Sequence, residues 1–171
     1  VVTEAGFGSE LGAEKFFNIV CRTGDLKPDV AVLLVSVKAL KKHGEGEVKK
    51  GLCNLEKHIE NIKMFKVPLI VAINHFIDDK DEEIQIVENY CKSKNIPFAV
   101  ADIWSEGGEG GIELAGKIIN LIHNNPSKFK FLYDLDMPVK KKIETIAKKL
   151  YGADRVVYTV LAERDIKLCK E

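Results

Sequence analysis

The sequence predicts an α/β fold built on a parallel sheet, and two observations support this prediction. Three nearly continuous apolar runs, rich in β-branched residues, occupy residues 29–37, 67–74 and 97–104. Such runs are typical of strands that are buried on both faces of a parallel sheet. Amphipathic helical patterns separate and follow the runs, so strand and helix alternate along the chain. This order predicts right-handed βαβ units and a doubly wound, mainly parallel sheet.

The helical patterns follow from the spacing of apolar residues. Between the first two strands, apolar residues recur three or four positions apart at Leu52, Leu55, Ile59, Ile62 and Phe65. A second helix is expected over residues 81–95, because acidic residues open it and lysines lie near its end, as the helix dipole favours. A third helical pattern begins at Gly111 and ends before Pro126.

The composition changes after Pro126. An aromatic-rich loop leads to a helix that is expected to begin at Pro138 and to end before Gly152. A short strand over residues 155–159 and a helical tail are expected to follow.

This change divides the predicted organisation. Residues 1–134 are expected to form an α/β core, incomplete and similar to that of P-loop NTPases, and residues 135–171 the start of a smaller α+β subdomain. The chain also opens as if in mid-strand, at "VVTEAGFG", and we therefore expect it to be a piece of a longer protein.

Charge and composition exclude several classes of protein. Lysine and arginine together number 26, as do aspartate and glutamate, whereas a nucleic-acid-binding protein needs a basic surplus for phosphate contacts. No apolar run approaches the ~20 residues that span a bilayer. The four cysteines and four histidines show no metal-ligand spacing, so no metal site is predicted. Scattered cysteines are typical of reduced thiols in a cytoplasmic protein.

Polar and aromatic residues follow the predicted strands at the edge where parallel sheets bind ligands. Asn74 and Phe76 follow one strand, and Trp104 ends the next. Asn74 can fix the polar edge of a ligand, while Phe76 and Trp104 offer flat faces. From these residues alone, the favoured interpretation is that each ring caps the core. Gly107 and Gly108 could let the backbone approach a ligand closely.

A second glycine cluster lies in "TEAGFGSELGAEKFF". Gly6, Gly8 and Gly12 could turn the chain tightly from strand into helix and bring it near a phosphate. The P-loop order GxxxxGK(S/T) is absent from the chain, since Lys15 is followed by phenylalanine. No complete catalytic set is predicted.

Over its whole length, the chain resembles the central to C-terminal portion of formate–tetrahydrofolate ligase. "VVTEAGFGSELGAEKFF" is similar to the family block TEAGFGxDLGxEKFF, and "VSVKALKKHG" to its ATxRALKxHGG signature. The segments "VAINHF", "WSEGGEGG", "LYDLDMPVKKKI" and "IAKKLYGAD" continue the likeness in the family's order. Ser36, Lys38 and Glu45 stand where the signature has Thr, Arg and Gly, and the connector after them is shorter.

The resemblance implies ATP-dependent joining of formate to tetrahydrofolate through formyl phosphate, with Mg²⁺ and a monovalent cation such as K⁺. It implies that Phe76 and Trp104 hold the pterin between them, with Asn74, Gly107 and Gly108 nearby. A segment with Thr3, Glu4 and Phe7 is expected to border the nucleotide, with Phe7 against the adenine. A homo-oligomer is expected for the full-length enzyme.

A second hypothesis from another class is a non-catalytic module that binds folate or a partner subunit. The family's P-loop lies upstream of the TEAGFG block, and this chain does not contain it, so activity of the chain alone is not expected. Lys38 and the short connector favour this alternative slightly. A P-loop encoded upstream of Val1 would favour the enzyme, whereas a true start codon at this position would favour the module.

Overall fold

The computed structural model describes residues 1–169, which form two compact units. One unit is continuous and consists of residues 27–129, and the other combines residues 1–26 with residues 130–169. The domain boundary after residue 134, drawn from composition, stays a prediction.

The described part of the chain contains three strands and eight α-helices. The strands are β1 (Ala31–Val35), β2 (Leu69–Asn74) and β3 (Phe98–Ala101). The helices are α1 (Cys21–Thr23), α2 (Val37–His43), α3 (Val48–Met64), α4 (Asp81–Ser93), α5 (Ile103–Glu106), α6 (Ile112–Asn124), α7 (Val139–Lys149) and α8 (Val160–Leu168). Tighter or wider helical turns cover Gly8–Ala13, Phe16–Val20 and Glu109–Gly111.

The three strands form one parallel sheet in the order β1-β2-β3, within the unit of residues 27–129. Ala31 pairs with Leu69, and Val71 pairs with Phe98, which fixes the register of both ladders. The mixed α/β class and the parallel sheet are therefore confirmed. The prediction of a strand over residues 97–104 is wrong at its C-terminal end, because β3 ends at Ala101 and a helical turn follows.

The expectation that the strands are buried on both faces is confirmed for β2 and is wrong for β1. The residues of β2 from Leu69 to Ile73 are buried, whereas Val32 and Leu34 of β1 are exposed. Successive side chains of a strand point to opposite faces, so these two residues share one face. One face of β1 is therefore exposed in the described structure.

Helices α3, α4 and α6 form where the sequence predicts, whereas α2 was not predicted and begins at Val37, inside the run expected as a strand over residues 29–37. Ser36 caps α2, since its hydroxyl accepts a hydrogen bond from the Ala39 backbone N–H at 3.2 Å. Helix α3 buries Leu55, Ile59 and Ile62 on one face, as their spacing requires. Helices α3 and α4 pack against each other and against β2. These contacts place the hydrophobic core around β2.

Two predicted strands are absent from the described unit of residues 1–26 and 130–169. Residues 1–6 carry no regular structure, so the expected opening in mid-strand is wrong, and so is the short strand over residues 155–159. Their β-branched residues favour a strand, but a strand also needs hydrogen-bonded neighbours. Residue Thr159 instead caps α8, accepting from the Ala162 N–H at 3.2 Å.

A buried polar cluster holds this unit together internally. The Asn18 side chain accepts a hydrogen bond from the Leu132 N–H at 2.9 Å. The Arg22 guanidinium donates to the Tyr133 carbonyl at 2.6 Å and lies 3.8 Å from the centre of the Phe131 ring. These contacts tie the first helical turns to the segment that precedes α7.

Candidate functional site

The carboxyl ends of β2 and β3 lie side by side and form the candidate site. Asn74, the last residue of β2, pairs with Ala101, the last residue of β3. The ladder continues one step further, because the His75 N–H donates to the Ala101 carbonyl at 3.0 Å. The loops that follow the two strands, with Phe76 and Trp104, therefore leave the same edge of the sheet.

Phe76 sits in a tight turn directly after β2. Its N–H donates to the Asp79 carboxylate at 3.0 Å, and its carbonyl accepts from the Asp79 N–H at 2.9 Å. The turn is thus closed at both polar groups of the Phe76 backbone. The side chain of Phe76 stays 40% exposed, so the ring is offered to solvent from a fixed backbone.

Trp104 lies in α5, and the expectation that it ends a strand is wrong. The short helix begins directly after Asp102, whose carbonyl accepts from the Glu106 N–H at 3.0 Å. The sequence pattern missed this turn because Ile103 and Trp104 continue the apolar run of β3. The Trp104 side chain is 77% exposed, so it does not cap the core of its unit.

The glycine loop after α5 has a backbone that only glycine adopts without strain. Gly107 has φ +60° and ψ −136°, a conformation that L-residues avoid. Gly108 is exposed, with open space where a side chain would begin. At Gly110, a Cβ atom would lie 2.2 Å from the Asp102 carbonyl oxygen. The glycines therefore let the loop fold back onto the start of α5.

Sequence reasoning missed a side-chain link across this edge. His75 Nδ1 lies 3.1 Å from Asp102 Oδ2, and the Ser105 hydroxyl donates to Asp102 Oδ1. The hydrogen bond from Ser105, and then the one with His75, hold the pKa of the Asp102 carboxyl below its usual range. The available signal was positional, since His75 and Asp102 are each the first residue after neighbouring strands.

The residues expected to border the nucleotide belong to the other unit. Thr3, Glu4 and Phe7 are exposed, and the Phe7 side chain is 94% exposed. Behind them the chain turns tightly into its first helical turn, where the Gly12 N–H donates to the Phe7 carbonyl at 3.2 Å. A Cβ atom on Gly12 would lie 2.5 Å from the Gly6 carbonyl oxygen, so the expected close turn is confirmed.

Residues 1–169 include no group of three or more His, Cys, Asp or Glu side chains that could hold a metal ion. Within that range, none of the helices has the length and apolar composition that crossing a bilayer requires.

The carboxyl edge of this parallel sheet carries exposed rings, an amide and a glycine loop, and α/β proteins commonly bind ligands at such an edge. The family model of formate–tetrahydrofolate ligase matches residues 1–171, which is the whole chain. The chain therefore belongs to the formate–tetrahydrofolate ligase family. This is a family of ligases that use tetrahydrofolate and ATP in one-carbon metabolism.

Proposed function

We propose that this chain carries the pterin-binding part of a formate–tetrahydrofolate ligase, with the pterin stacked between Phe76 and Trp104. One observation carries the proposal: two exposed rings follow neighbouring parallel strands at their carboxyl ends. Neighbouring strands lie only about 5 Å apart, and aromatic faces stack well on flat heterocycles. The Asn74 amide and the backbone of the glycine loop supply polar groups beside the rings.

The proposed reaction is the ATP-dependent formylation of tetrahydrofolate at nitrogen 10. Formate attacks the γ-phosphorus of ATP to give formyl phosphate and ADP, and nitrogen 10 then attacks the formyl carbon and releases phosphate. The substrates are formate, ATP and tetrahydrofolate, and Mg²⁺ and K⁺ accompany the nucleotide. Gly107 and Gly108 approach the folate through their backbone. Thr3, Glu4 and Phe7 border the nucleotide, and the exposed Phe7 ring faces the adenine.

The residues of this chain do not provide for the phosphoryl-transfer step. Phosphoryl transfer depends on positioned cations and backbone N–H groups around the β- and γ-phosphates. The sequence has no GxxxxGK(S/T) motif, and among the described residues no cluster suited to a metal ion is found. No residue here is therefore assigned to Mg²⁺ or to the phosphates, and we expect the chain alone to be inactive.

The wider organisation follows from the same proposal. The parallel strands β1, β2 and β3 with their crossover helices are consistent with part of a doubly wound core like that of P-loop NTPases. A homo-oligomeric, cytoplasmic enzyme is proposed for the full-length protein.

Replacing Phe76 by alanine tests the proposal. Trp104 is the only tryptophan, so its fluorescence reports ligand binding directly. Ring stacking is worth ~1–3 kcal/mol, and at ~1.4 kcal/mol per decade Phe76→Ala should weaken tetrahydrofolate binding about ten- to a hundredfold. The matched control is Ile77→Ala, which removes an equally apolar, exposed side chain from the same turn. Normal folate binding by Phe76→Ala would contradict the stacking model.

Lys38, which stands where the family signature has arginine, and the shortened connector after it favour one alternative, a non-catalytic folate- or subunit-binding module. This alternative predicts folate binding without formate-dependent ADP release in the full-length natural protein. The ligase predicts both. An ADP-release assay on that protein, with and without formate, separates the two.

A further inference from the structure

A hydrogen-bonded link joins the two loops that carry the exposed rings. His75 and Ser105 both contact the Asp102 carboxylate, one at each oxygen. His75 directly precedes Phe76, and Ser105 directly follows Trp104. Asp102 therefore connects the immediate neighbour of one ring residue with the immediate neighbour of the other.

Asp102 is held in place by its backbone as well. Its N–H donates to the Gly110 carbonyl at 3.1 Å, and its carbonyl accepts from the Glu106 N–H at 3.0 Å. With its side-chain bonds, Asp102 makes four hydrogen bonds to four different residues. An ionised carboxylate can only accept hydrogen bonds, so Nδ1 of His75 carries the proton in this link. Asp102 is thus a fixed point between β3, α5 and the glycine loop.

His75 is attached to the end of β3 twice. Its backbone N–H donates to the Ala101 carbonyl at 3.0 Å, and its ring nitrogen contacts Asp102 at 3.1 Å. The main chain and the side chain of His75 are therefore both hydrogen-bonded to residues at the end of β3. Any movement of β3 relative to the turn of Phe76 has to break one of these two bonds.

We propose that Asp102 and His75 are positioning residues for folate, which fix the two rings relative to each other before the ligand binds. This inference rests on the proposed function, because the link can affect folate binding only if the pterin lies between Phe76 and Trp104. The ligand proposed for the slot is the flat bicyclic ring of a reduced folate. A preformed slot loses less conformational freedom when the ligand enters, and this raises affinity without any new contact.

The alternative is a link that only stabilises the fold. The His75 and Asp102 side chains are 27% and 29% exposed, and ion pairs in contact with solvent contribute little to stability. Their loss is therefore expected to leave the melting temperature nearly unchanged while folate binding weakens. A purely structural role predicts the opposite pattern, a lower melting temperature with unchanged binding by the remaining folded protein.

Three variants test the link: His75→Ala, Asp102→Ala and the double variant. His75→Gln is the conservative variant, because its amide can still donate to the Asp102 carboxylate. Matched controls are His123→Ala and Asp78→Ala, which remove an exposed histidine and an exposed aspartate from the same unit. Three properties are measured: tetrahydrofolate affinity from Trp104 fluorescence, acrylamide quenching of Trp104 without ligand, and the melting temperature.

Each single variant of the link should weaken tetrahydrofolate binding about three- to tenfold. The double variant should lose no more than the larger single loss, since both side chains serve one link. His75→Gln should recover most of the affinity, and the controls should match the unchanged protein. Without ligand, acrylamide should quench Trp104 more strongly in His75→Ala and Asp102→Ala than in the controls.

Two results would overturn the inference. One is normal folate affinity together with unchanged acrylamide quenching in both single variants. The other is additive loss in the double variant with a matching fall in melting temperature. If the unchanged protein fails to bind tetrahydrofolate, the proposed function is wrong, and the ligand-free quenching comparison still decides whether the link orients Trp104.

Discussion

The two segments that the family resemblance associates with ligands differ in how they are built. The carboxyl edge of β2 and β3 is held by hydrogen bonds at Phe76, His75 and Asp102. Residues 1–7 instead carry no regular structure, and the side chain of Phe7 is almost fully exposed. Both segments lie within the family match, and at the sheet edge side-chain hydrogen bonds join the loops that follow two neighbouring strands.

The difference shows what a motif needs before it becomes a site. At the sheet edge, parallel pairing brings two loops together, and the glycines let them close on each other. In the opening segment, Gly6 and Gly12 shape a turn, but the residues before it make few bonds. The comparison predicts that substitutions at the edge weaken folate binding. Substitutions of buried residues behind the opening segment should lower stability and leave folate affinity unchanged.

The largest effect is expected at Gly110. A Cβ atom there would lie 2.2 Å from the Asp102 carbonyl oxygen, so Gly110→Ala should displace the backbone that carries Asp102. We expect a loss of about 1–3 kcal/mol in the free energy of unfolding, as for other overpacked sites. Folate binding should weaken more than about tenfold. Denaturant unfolding and the Trp104 titration measure the two effects.

The control for this prediction is Gly116→Ala. Gly116 lies within α6 with open space around its Cβ position, so alanine should stabilise the helix by up to about 1 kcal/mol. If the two glycine variants had equal unfolding free energies and equal folate affinities, the close approach of Gly110 to Asp102 would not be what requires glycine there.

A similar loss of stability, without any loss of folate binding, is expected at Asn18. Its buried side chain accepts from the Leu132 N–H and donates to Glu14 at 3.0 Å. Asn18→Ala leaves these groups without that partner, which costs about 1–3 kcal/mol of unfolding free energy. Tetrahydrofolate affinity should not change, because the hydrogen bonds that organise the edge lie in the other unit.

Asn120→Ala is the matched control, since Asn120 is an exposed residue of α6. It should change stability by less than about 0.5 kcal/mol. A loss of folate affinity in Asn18→Ala, with Asn120→Ala unaffected, would contradict the separation of the two regions.

The smallest effect is expected for the ion pair that joins α2 to α4 in the unit of residues 27–129. Lys41 of α2 contacts Glu83 of α4 at 2.6 Å, and this hydrogen bond lowers the pKa of the Glu83 carboxyl. A lowered folded pKa stabilises the protein fully above the ordinary glutamate pKa of about 4.3. That contribution is lost as the pH falls through the lower folded value. Glu83→Gln should therefore lower the melting temperature slightly at neutral pH and not at low pH.

The control is Glu82→Gln, which neutralises the exposed neighbour of Glu83 in the same first turn of α4. A pH profile of melting temperature distinguishes the variants. If the difference between Glu83→Gln and the unchanged protein is constant from neutral to acid pH, the ion pair is not its cause.

Periodicity predicted most of the fold of residues 27–129 and less of the other unit. The spacing of Leu55, Ile59 and Ile62 determines which face of α3 is buried, so the helix is readable from sequence. A strand needs a hydrogen-bonded partner strand as well as β-branched residues. Residues 155–159 contain β-branched residues but form no strand. The apolar pattern predicts Trp104 on a strand because Ile103 and Trp104 resume the run after Asp102, the residue at which β3 has ended.

The candidate site could be predicted residue by residue only as far as each strand end. Asn74 and Phe76 were found because each follows an apolar run. The contact between His75 and Asp102 depends on which residues of β2 and β3 lie opposite each other, and composition does not determine the register. Side chains that meet across two loops therefore required the structure.

The central claim is that the slot between Phe76 and Trp104 binds the pterin ring. The most direct measurement is titration of Trp104 fluorescence with tetrahydrofolate and, separately, with p-aminobenzoylglutamate, the same molecule without its pterin. The account predicts saturable quenching by tetrahydrofolate and no saturable response to the pterin-free part. Equal responses to the two compounds, or no response to tetrahydrofolate, would contradict it.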